Sequence, residues 1–291
     1  MVMRWKKALG SGTAVLALVA AACTGTAEAG ERAARRYAAL GDSFVAGPLI
    51  PNQRGMPIGC LRSDRNYPSL VAARLGAALA DVSCSGAETV DMTAPQVTPL
   101  GTNPPQVSAV TADTDLVTLS IGGNDVGFGE ITVTCGLLSV ADPVGAPCAT
   151  RYGDTLDRRV AETAPKVGAV LRDVRARAPR AEILVVGYLR LMPERPGCWP
   201  LVPVAQGDLV FLDGLQRSLN GMLARQAEAN GAGFVDAYEG GLGHDMCAAP
   251  ARKWVEGIVL TAPAAPVHPN AAGMREVADR VTAALEAGRD A

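Results

Sequence analysis

The sequence predicts an α/β protein, a three-layer α/β/α sandwich on a five-stranded parallel sheet. Short apolar runs alternate with longer helical segments along the chain, which is typical of parallel sheets covered by helices. The runs are continuously apolar, as expected for strands buried on both faces. With 291 residues, 48% of them hydrophobic, the chain can bury a large core. We expect a single domain over residues 30–291.

The predicted strands are short apolar runs, and helical segments follow them after loops. The run at 80–85 is weak, whereas the run at 116–121 has the β-branched and apolar character of a buried strand. The predicted strands cover residues 37–40, 80–85, 116–121, 183–188 and 234–237, and the predicted helices cover 68–76, 158–177, 209–230 and 271–287. In the last helix Val277, Val281 and Leu285 share one face, and Asn270 is a suitable N-cap.

Three long connections follow predicted strands, at residues 122–157, 189–208 and 238–269. Loops that follow parallel strands gather at the carboxyl edge of the sheet, where α/β proteins bind their ligands. We therefore expect the functional site at this edge.

The first 29 residues resemble a secretory signal peptide. Arg4, Lys6 and Lys7 precede the apolar run 13–22, which is too short to span a bilayer. The small residues Ala27 and Ala29 favour cleavage by signal peptidase after Ala29, which would release a secreted protein. The alternative is a lipoprotein signal ending before Cys23, with the protein lipid-anchored at the cell surface, but Ala20 stands where a lipobox more often has Leu.

The charge balance excludes a nucleic-acid or anionic-lipid partner. The full chain has 27 basic and 29 acidic residues. Cleavage after Ala29 removes three basic residues and one acidic residue, and the remaining 24 and 28 give a net charge of −4. No basic patch is available for nucleic acid. We also expect no transmembrane segment and a monomer.

If the protein is exported, its cysteines can form disulfides, because thiols outside the cytoplasm can be oxidised. Seven cysteines are present, and six remain beyond Cys23. Several pairings are possible, of which the simplest is sequential and joins Cys60 to Cys84, Cys135 to Cys148 and Cys198 to Cys247. Two of these bridges would pin the long connections. Cysteine and histidine spacings typical of zinc sites are missing, so we expect no metal and no cofactor.

The residues that carry chemistry follow three of the predicted strands and precede the last helix. Ser43 follows Gly41, which allows a sharp turn; the alternative is that Asp42 and Ser43 only cap a helix. A serine nucleophile needs a base, and of the two histidines we favour His268 and assign His244 a structural role. Asn124 and the backbone of Gly86 could donate hydrogen bonds to an oxyanion, although Asn124 could also serve only its own turn.

These residues resemble the four sequence blocks of the SGNH-hydrolase family, also called GDSL esterases and lipases: Gly41-Asp42-Ser43, Gly86, Gly122-Gly123-Asn124-Asp125 and His268. The resemblance implies a flavodoxin-like fold with Ser43 as nucleophile and His268 as general base. It implies an oxyanion hole formed by the backbone N–H groups of Ser43 and Gly86 and the side chain of Asn124. The six cysteines also look like the three sequential disulfides of secreted actinobacterial lipases of this family.

The chain departs from the family pattern behind the histidine. The family usually has Asp three residues before it, whereas this chain has Ala265. Some relatives resemble this arrangement and act as Ser-His dyads, in which a backbone carbonyl orients the imidazole. We expect a dyad oriented by the carbonyl of Ala265 or Pro266, with Asp245 as the alternative acid.

The expected function is a secreted serine esterase or lipase that hydrolyses small-molecule or lipid esters. Apolar stretches at 191–193, 199–204 and 258–266 favour an acyl substrate. Only Trp199 and Trp254 remain as tryptophans after signal cleavage, and this disfavours a carbohydrate site. The alternatives are a carbohydrate O-acetylesterase or deacetylase, and a non-catalytic surface-binding protein on the same fold.

Overall fold

A computed structural model describes residues 1–3, 34–194 and 196–288. The chain divides into two units, Met1–Ala33 and Ala34–Ala291. Apart from residues 1–3, the predicted signal segment and Cys23 lie outside the described residues, so the signal peptide and its lipid-anchored alternative stay predictions. Among the described residues, no helix is both long and apolar enough to cross a membrane.

Five parallel strands form the main sheet in the order β2-β1-β3-β4-β5. This is the flavodoxin-like order, and it confirms the predicted fold class. The strands are β1 (Arg36–Gly41), β2 (Ala78–Asp81), β3 (Leu116–Ser120), β4 (Glu182–Val186) and β5 (Gly233–Val235). The first strand lies inside the sheet and pairs with β2 on one side and β3 on the other, so that Gly41 lies beside Ser120.

The eight α-helices of the second unit's described residues complete the sandwich. They are α1 (Ser43–Ala46), α2 (Tyr67–Leu75), α3 (Gly123–Val126), α4 (Phe128–Ala141), α5 (Pro147–Tyr152), α6 (Thr155–Arg177), α7 (Leu209–Ala229) and α8 (Ala271–Ala287). Helix α6 packs against α7, and α2 packs against α8. Asn270 caps α8 as predicted, accepting hydrogen bonds from the N–H groups of Ala272 and Gly273.

Two predicted boundaries were wrong. The second strand begins at Ala78 and ends at Asp81. It is an edge strand whose alternate residues are exposed, and two of its four residues are alanine, a residue type that is depleted in strands. The predicted connection at 122–157 contains α3, α4, α5 and the start of α6. In α4, apolar residues lie all around the helix, and this removes the amphipathic period that reveals a helix in a sequence.

Three disulfides join Cys60 to Cys84, Cys135 to Cys148 and Cys198 to Cys247. The second bridge connects helices α4 and α5, where we had expected an irregular loop. The third connects the chain after β4 with the chain after β5. The bridges therefore restrain segments at the carboxyl edge of the sheet.

Candidate active site

Ser43 lies where β1 leaves the sheet. Gly41 has a φ of 151°, and a Cβ atom added there would lie 2.4 Å from the carbonyl oxygen of Ser120. Only glycine allows this close approach of the two chains. Asp42 then caps α1 by accepting the N–H of Phe44, while Ser43 is the first residue of that helix. Asp42 thus supplies the helix cap, while the neighbouring Ser43 lines the pocket described below, so the cap is compatible with the predicted role of Ser43 as nucleophile.

His268 lies within hydrogen-bond distance of Ser43. Its Nε2 atom is 2.7 Å from the Ser43 Oγ, and its Nδ1 atom is 2.8 Å from the carbonyl oxygen of Pro266. Because a carbonyl can only accept, Nδ1 carries the proton and donates to Pro266. The Nε2 atom of the neutral ring is therefore free to accept the hydroxyl proton of Ser43.

The other groups considered for orienting the imidazole are used elsewhere. The carbonyl of Ala265 accepts the backbone N–H of His268 at 3.2 Å, so the orienting acceptor in this structure is Pro266. The Asp245 carboxylate accepts the N–H groups of Gly243 and Cys247 within its own loop.

His244 packs against Trp254, which is compatible with the structural role that we predicted. Its ring stacks on Trp254 with ring centroids 4.0 Å apart, and its Nδ1 contacts the carbonyl of Arg252. It is absent from the described residues that line the pocket around Ser43.

A short antiparallel contact holds the segment that carries His268. Val267 donates its N–H to the Glu256 carbonyl at 3.0 Å, and Glu256 donates its N–H to the His268 carbonyl at 3.0 Å. Asn270 also donates to the buried Glu256 carboxylate at 2.8 Å. Val267 has a φ of 62°, which is unfavourable for a β-branched residue and is maintained by these surrounding bonds.

Three hydrogen-bond donors face the same pocket as Ser43. The Asn124 side chain donates one amide hydrogen to the Ala87 carbonyl at 2.8 Å, which orients the amide and leaves its second hydrogen available. Within the described ranges, the backbone N–H groups of Ser43 and Gly86 have no acceptor in the protein. The pocket is about 560 Å³ and is lined by Ser43, Gly86, Asn124 and His268 among others. The structure thus brings the four predicted blocks together.

Tyr188, which sequence reasoning did not assign, links two of these blocks. Its hydroxyl donates to the Asp42 carboxylate at 2.5 Å and accepts the N–H of Gly123 at 2.9 Å. Burial raises the pKa of Asp42 to about 7, although the hydrogen bonds from Tyr188 and Phe44 lower it. The turn before Asn124 is thereby held to the turn before Ser43.

Asp125 and Gln106 hold the remaining turns. The buried Asp125 carboxylate accepts the N–H of Thr89 at 2.9 Å and its hydroxyl at 2.5 Å, which ties the Gly86 turn to the Asn124 turn. The fully buried Gln106 side chain accepts the N–H of Gly41 at 2.8 Å and donates to its carbonyl at 3.0 Å. An isolated glutamine carries no sequence signal for such a role.

Comparison with known proteins agrees with this geometry. The family model described as the GDSL-like Lipase/Acylhydrolase family matches residues 39–276. Lipase 2 of Streptomyces coelicolor is 40% identical over 248 residues, covering 84% of this chain and 83% of the relative. The crystal structure of phospholipase A1 from Streptomyces albidoflavus NA297 is 30% identical, with a TM-score of 0.72 and coverage of 86% and 99%. That of the extracellular lipase from Streptomyces rimosus is 26% identical, with the same TM-score and coverage. The chain therefore belongs to the GDSL-like Lipase/Acylhydrolase family and is a carboxylic ester hydrolase.

Proposed function

We propose that the protein is a secreted monomeric esterase or lipase that hydrolyses acyl esters through a Ser43–His268 dyad and an acyl-enzyme intermediate. The observation that carries the proposal is the hydrogen-bonded series from Ser43 Oγ to His268 Nε2, and from His268 Nδ1 to the Pro266 carbonyl. All of these groups belong to one chain, so no second copy is needed to complete the site.

In the acylation step, the Ser43 Oγ attacks the ester carbonyl carbon while its proton moves to His268 Nε2. Negative charge develops on the carbonyl oxygen, which accepts hydrogen bonds from the N–H groups of Ser43 and Gly86 and from the Asn124 amide. The C–O bond to the alcohol then breaks, and His268 returns the proton to the leaving oxygen. The acyl group remains on Ser43.

Deacylation repeats these proton transfers with water. His268 takes a proton from the water molecule, the resulting nucleophile attacks the acyl carbon, and the proton returns to Ser43 as the acid leaves. In both steps the imidazolium is stabilised by the Pro266 carbonyl through Nδ1–H. A neutral carbonyl stabilises this charge less than a carboxylate does, but it fixes the same tautomer.

Several observations support an acyl ester and an exported protein. The pocket walls include Phe128, Leu191 and Ile258. Among the described residues that line the pocket there is no tryptophan, and the aromatic side chains there are Phe44, Phe128 and Tyr188. Disulfides are typical of exported proteins, and the related Streptomyces rimosus lipase is described as extracellular.

Covalent labelling tests the proposed function. A fluorophosphonate probe should label the protein once, at Ser43, and the label should be absent from Ser43→Ala. Ser69→Ala, at a serine on α2, is the matched control and should be labelled normally. Mass spectrometry of the labelled peptide identifies the site. Labelling of Ser43→Ala at the rate of the unmodified protein would exclude the dyad.

The pH dependence should report His268. Burial lowers the pKa of His268 below its usual 6.5, against the raising effect of the Pro266 hydrogen bond. Since the neutral ring is the base, we expect kcat/KM for an uncharged ester to fall only as the pH drops through a midpoint below 6.5. The same fall in kcat/KM at low pH should persist in Asp42→Asn, because this substitution removes the other nearby group with a pKa close to neutral. A midpoint above 6.5 would contradict this assignment.

A further inference from the structure

Glu256 is an acidic residue that the proposed reaction does not use, although it is 0% exposed and contacts the segment that carries His268. Burial alone would raise the pKa of its carboxyl group, but hydrogen bonds from Asn270 and Thr261 and the charge of Lys253 bring this pKa below its usual 4.5. The side chain is therefore a buried carboxylate at neutral pH. Removing such a charge from water is costly unless the group is hydrogen-bonded, so its partners are held firmly.

The Glu256 carboxylate holds the chain on both sides of His268. One oxygen accepts a side-chain hydrogen of Asn270 at 2.8 Å. The other oxygen accepts the N–H of Thr261 at 2.7 Å and its hydroxyl hydrogen at 2.9 Å. Asn270 follows His268 and Thr261 precedes it, so a single buried group fixes both ends of the segment that contains the base.

The main chain of Glu256 fixes the peptide group that orients the imidazole. The carbonyl of Pro266 and the N–H of Val267 belong to one planar trans peptide unit, so they point in opposite directions and turn together. The carbonyl oxygen is 2.8 Å from His268 Nδ1, and the N–H donates to the Glu256 carbonyl at 3.0 Å. Any rotation of this peptide group away from Glu256 therefore turns its carbonyl away from the imidazole.

We propose that Glu256 is a positioning residue for the catalytic base: its buried carboxylate holds the peptide group of Pro266 in the orientation that fixes the Nδ1–H tautomer of His268. The inference rests on the proposed dyad, in which that tautomer is the active one. Within the described ranges, the imidazole bonds to Ser43 and Pro266 but to no carboxylate. The acid of this site thus acts through the main chain and does not touch the ring.

The tautomer of His268 can be observed directly, because the chain has only two histidines. In His244→Gln, ¹⁵N NMR at a pH where the ring is neutral should show the proton on Nδ1 and none on Nε2. Adding Glu256→Gln should produce a mixture of the two tautomers. The amide has a similar shape, but it has a single acceptor oxygen and cannot accept from both Asn270 and the Thr261 N–H.

Glu256→Gln should also lower kcat for p-nitrophenyl butyrate by about tenfold to a hundredfold while KM changes by less than about twofold. A misplaced base slows proton transfer without weakening the binding of the ester. Thr261→Val removes only the hydroxyl bond to the carboxylate and should cause a smaller fall in kcat. Initial rates over a range of ester concentrations give both constants.

Asp208→Asn is the matched control, because Asp208 is also 0% exposed and its carboxylate accepts the N–H groups of Cys148 and Ala149, each at 2.9 Å. It is not among the described residues that line the pocket. This substitution should lower the thermal unfolding temperature, as Glu256→Gln does, but should leave the His268 tautomer and kcat unchanged. Circular dichroism verifies that each variant is folded.

An unmixed Nδ1–H tautomer, or a kcat within about twofold of the original, in folded Glu256→Gln would overturn the proposal. If that variant does not fold, an unchanged tautomer and kcat in Thr261→Val would overturn it instead. In either case, labelling of Ser43 by a fluorophosphonate and the Nδ1–H signal of His244→Gln would leave the dyad in place. A proton on Nε2 in His244→Gln would contradict the dyad and the role of Glu256 together.

Discussion

His268→Gln should lower kcat for ester hydrolysis by about three to four orders of magnitude. The substitution keeps a polar side chain of similar reach but removes the imidazole that lies beside the Ser43 hydroxyl, and general-base catalysis contributes up to about 10⁴-fold. The Nε2 atom of His268 is 2.7 Å from Ser43 Oγ, so no other side chain needs to move for the transfer. Initial rates with p-nitrophenyl butyrate measure the effect.

His244→Gln is the matched control, since it makes the same change at the other histidine of the chain. It should leave kcat within about twofold while lowering stability, because the stack on Trp254 is lost. Circular dichroism and thermal unfolding verify that both variants are folded. If folded His268→Gln keeps a tenth of the original kcat, another base must serve Ser43 and the dyad is wrong.

Asn124→Ala should lower kcat by about 10² to 10³-fold with a much smaller change in KM. This is the effect of removing one donor from an oxyanion hole, because the donor contacts the developing negative charge more strongly than the ground-state carbonyl. The amide of Asn124 is already held by the Ala87 carbonyl, so little reorganisation is needed during the reaction. Steady-state kinetics with one uncharged ester separate kcat from KM.

Asn230→Ala provides the comparison, because Asn230 follows the end of α7 and is not among the described residues that line the pocket. Its kinetic constants should stay unchanged. A fall in kcat of less than about fivefold in folded Asn124→Ala would mean that the backbone donors stabilise the oxyanion without the amide.

The central part of the fold could be predicted from the sequence because its strands are buried on both faces. All residues of β3 and all but the first of β4 are buried, and strands buried on both faces have mostly apolar sequences that are easy to recognise. The edge strand β2 is partly exposed and rich in alanine, which favours strands only weakly, and its boundaries were therefore misplaced. Helix α4 was missed for a related reason, since its exposed face carries Val133, Leu137 and Val140 in place of polar residues.

The four residues that meet in the pocket could also be predicted as neighbours from the sequence, whereas the groups that hold them could not. Ser43, Gly86, Asn124 and His268 follow strands or precede a helix within short motifs. Tyr188 contacts Asp42 from 146 residues away, and Gln106 contacts Gly41 from 65 residues away. Such pairs depend on the tertiary arrangement. The choice between the Ala265 and Pro266 carbonyls likewise depended on backbone angles around Val267 that the sequence does not specify.

The polar groups and the apolar wall of the pocket come largely from different segments of the chain. Ser43, Gly86 and Asn124 follow β1, β2 and β3, and His268 follows β5, whereas much of the apolar wall comes from α4 and from other residues of the connections that follow β4 and β5. Mutations in the wall that keep His268 can therefore accumulate without replacing the groups that act on the ester in the proposed reaction. A combinatorial library confined to those segments would sample new acyl preferences on an unchanged reaction, and natural divergence could take the same route.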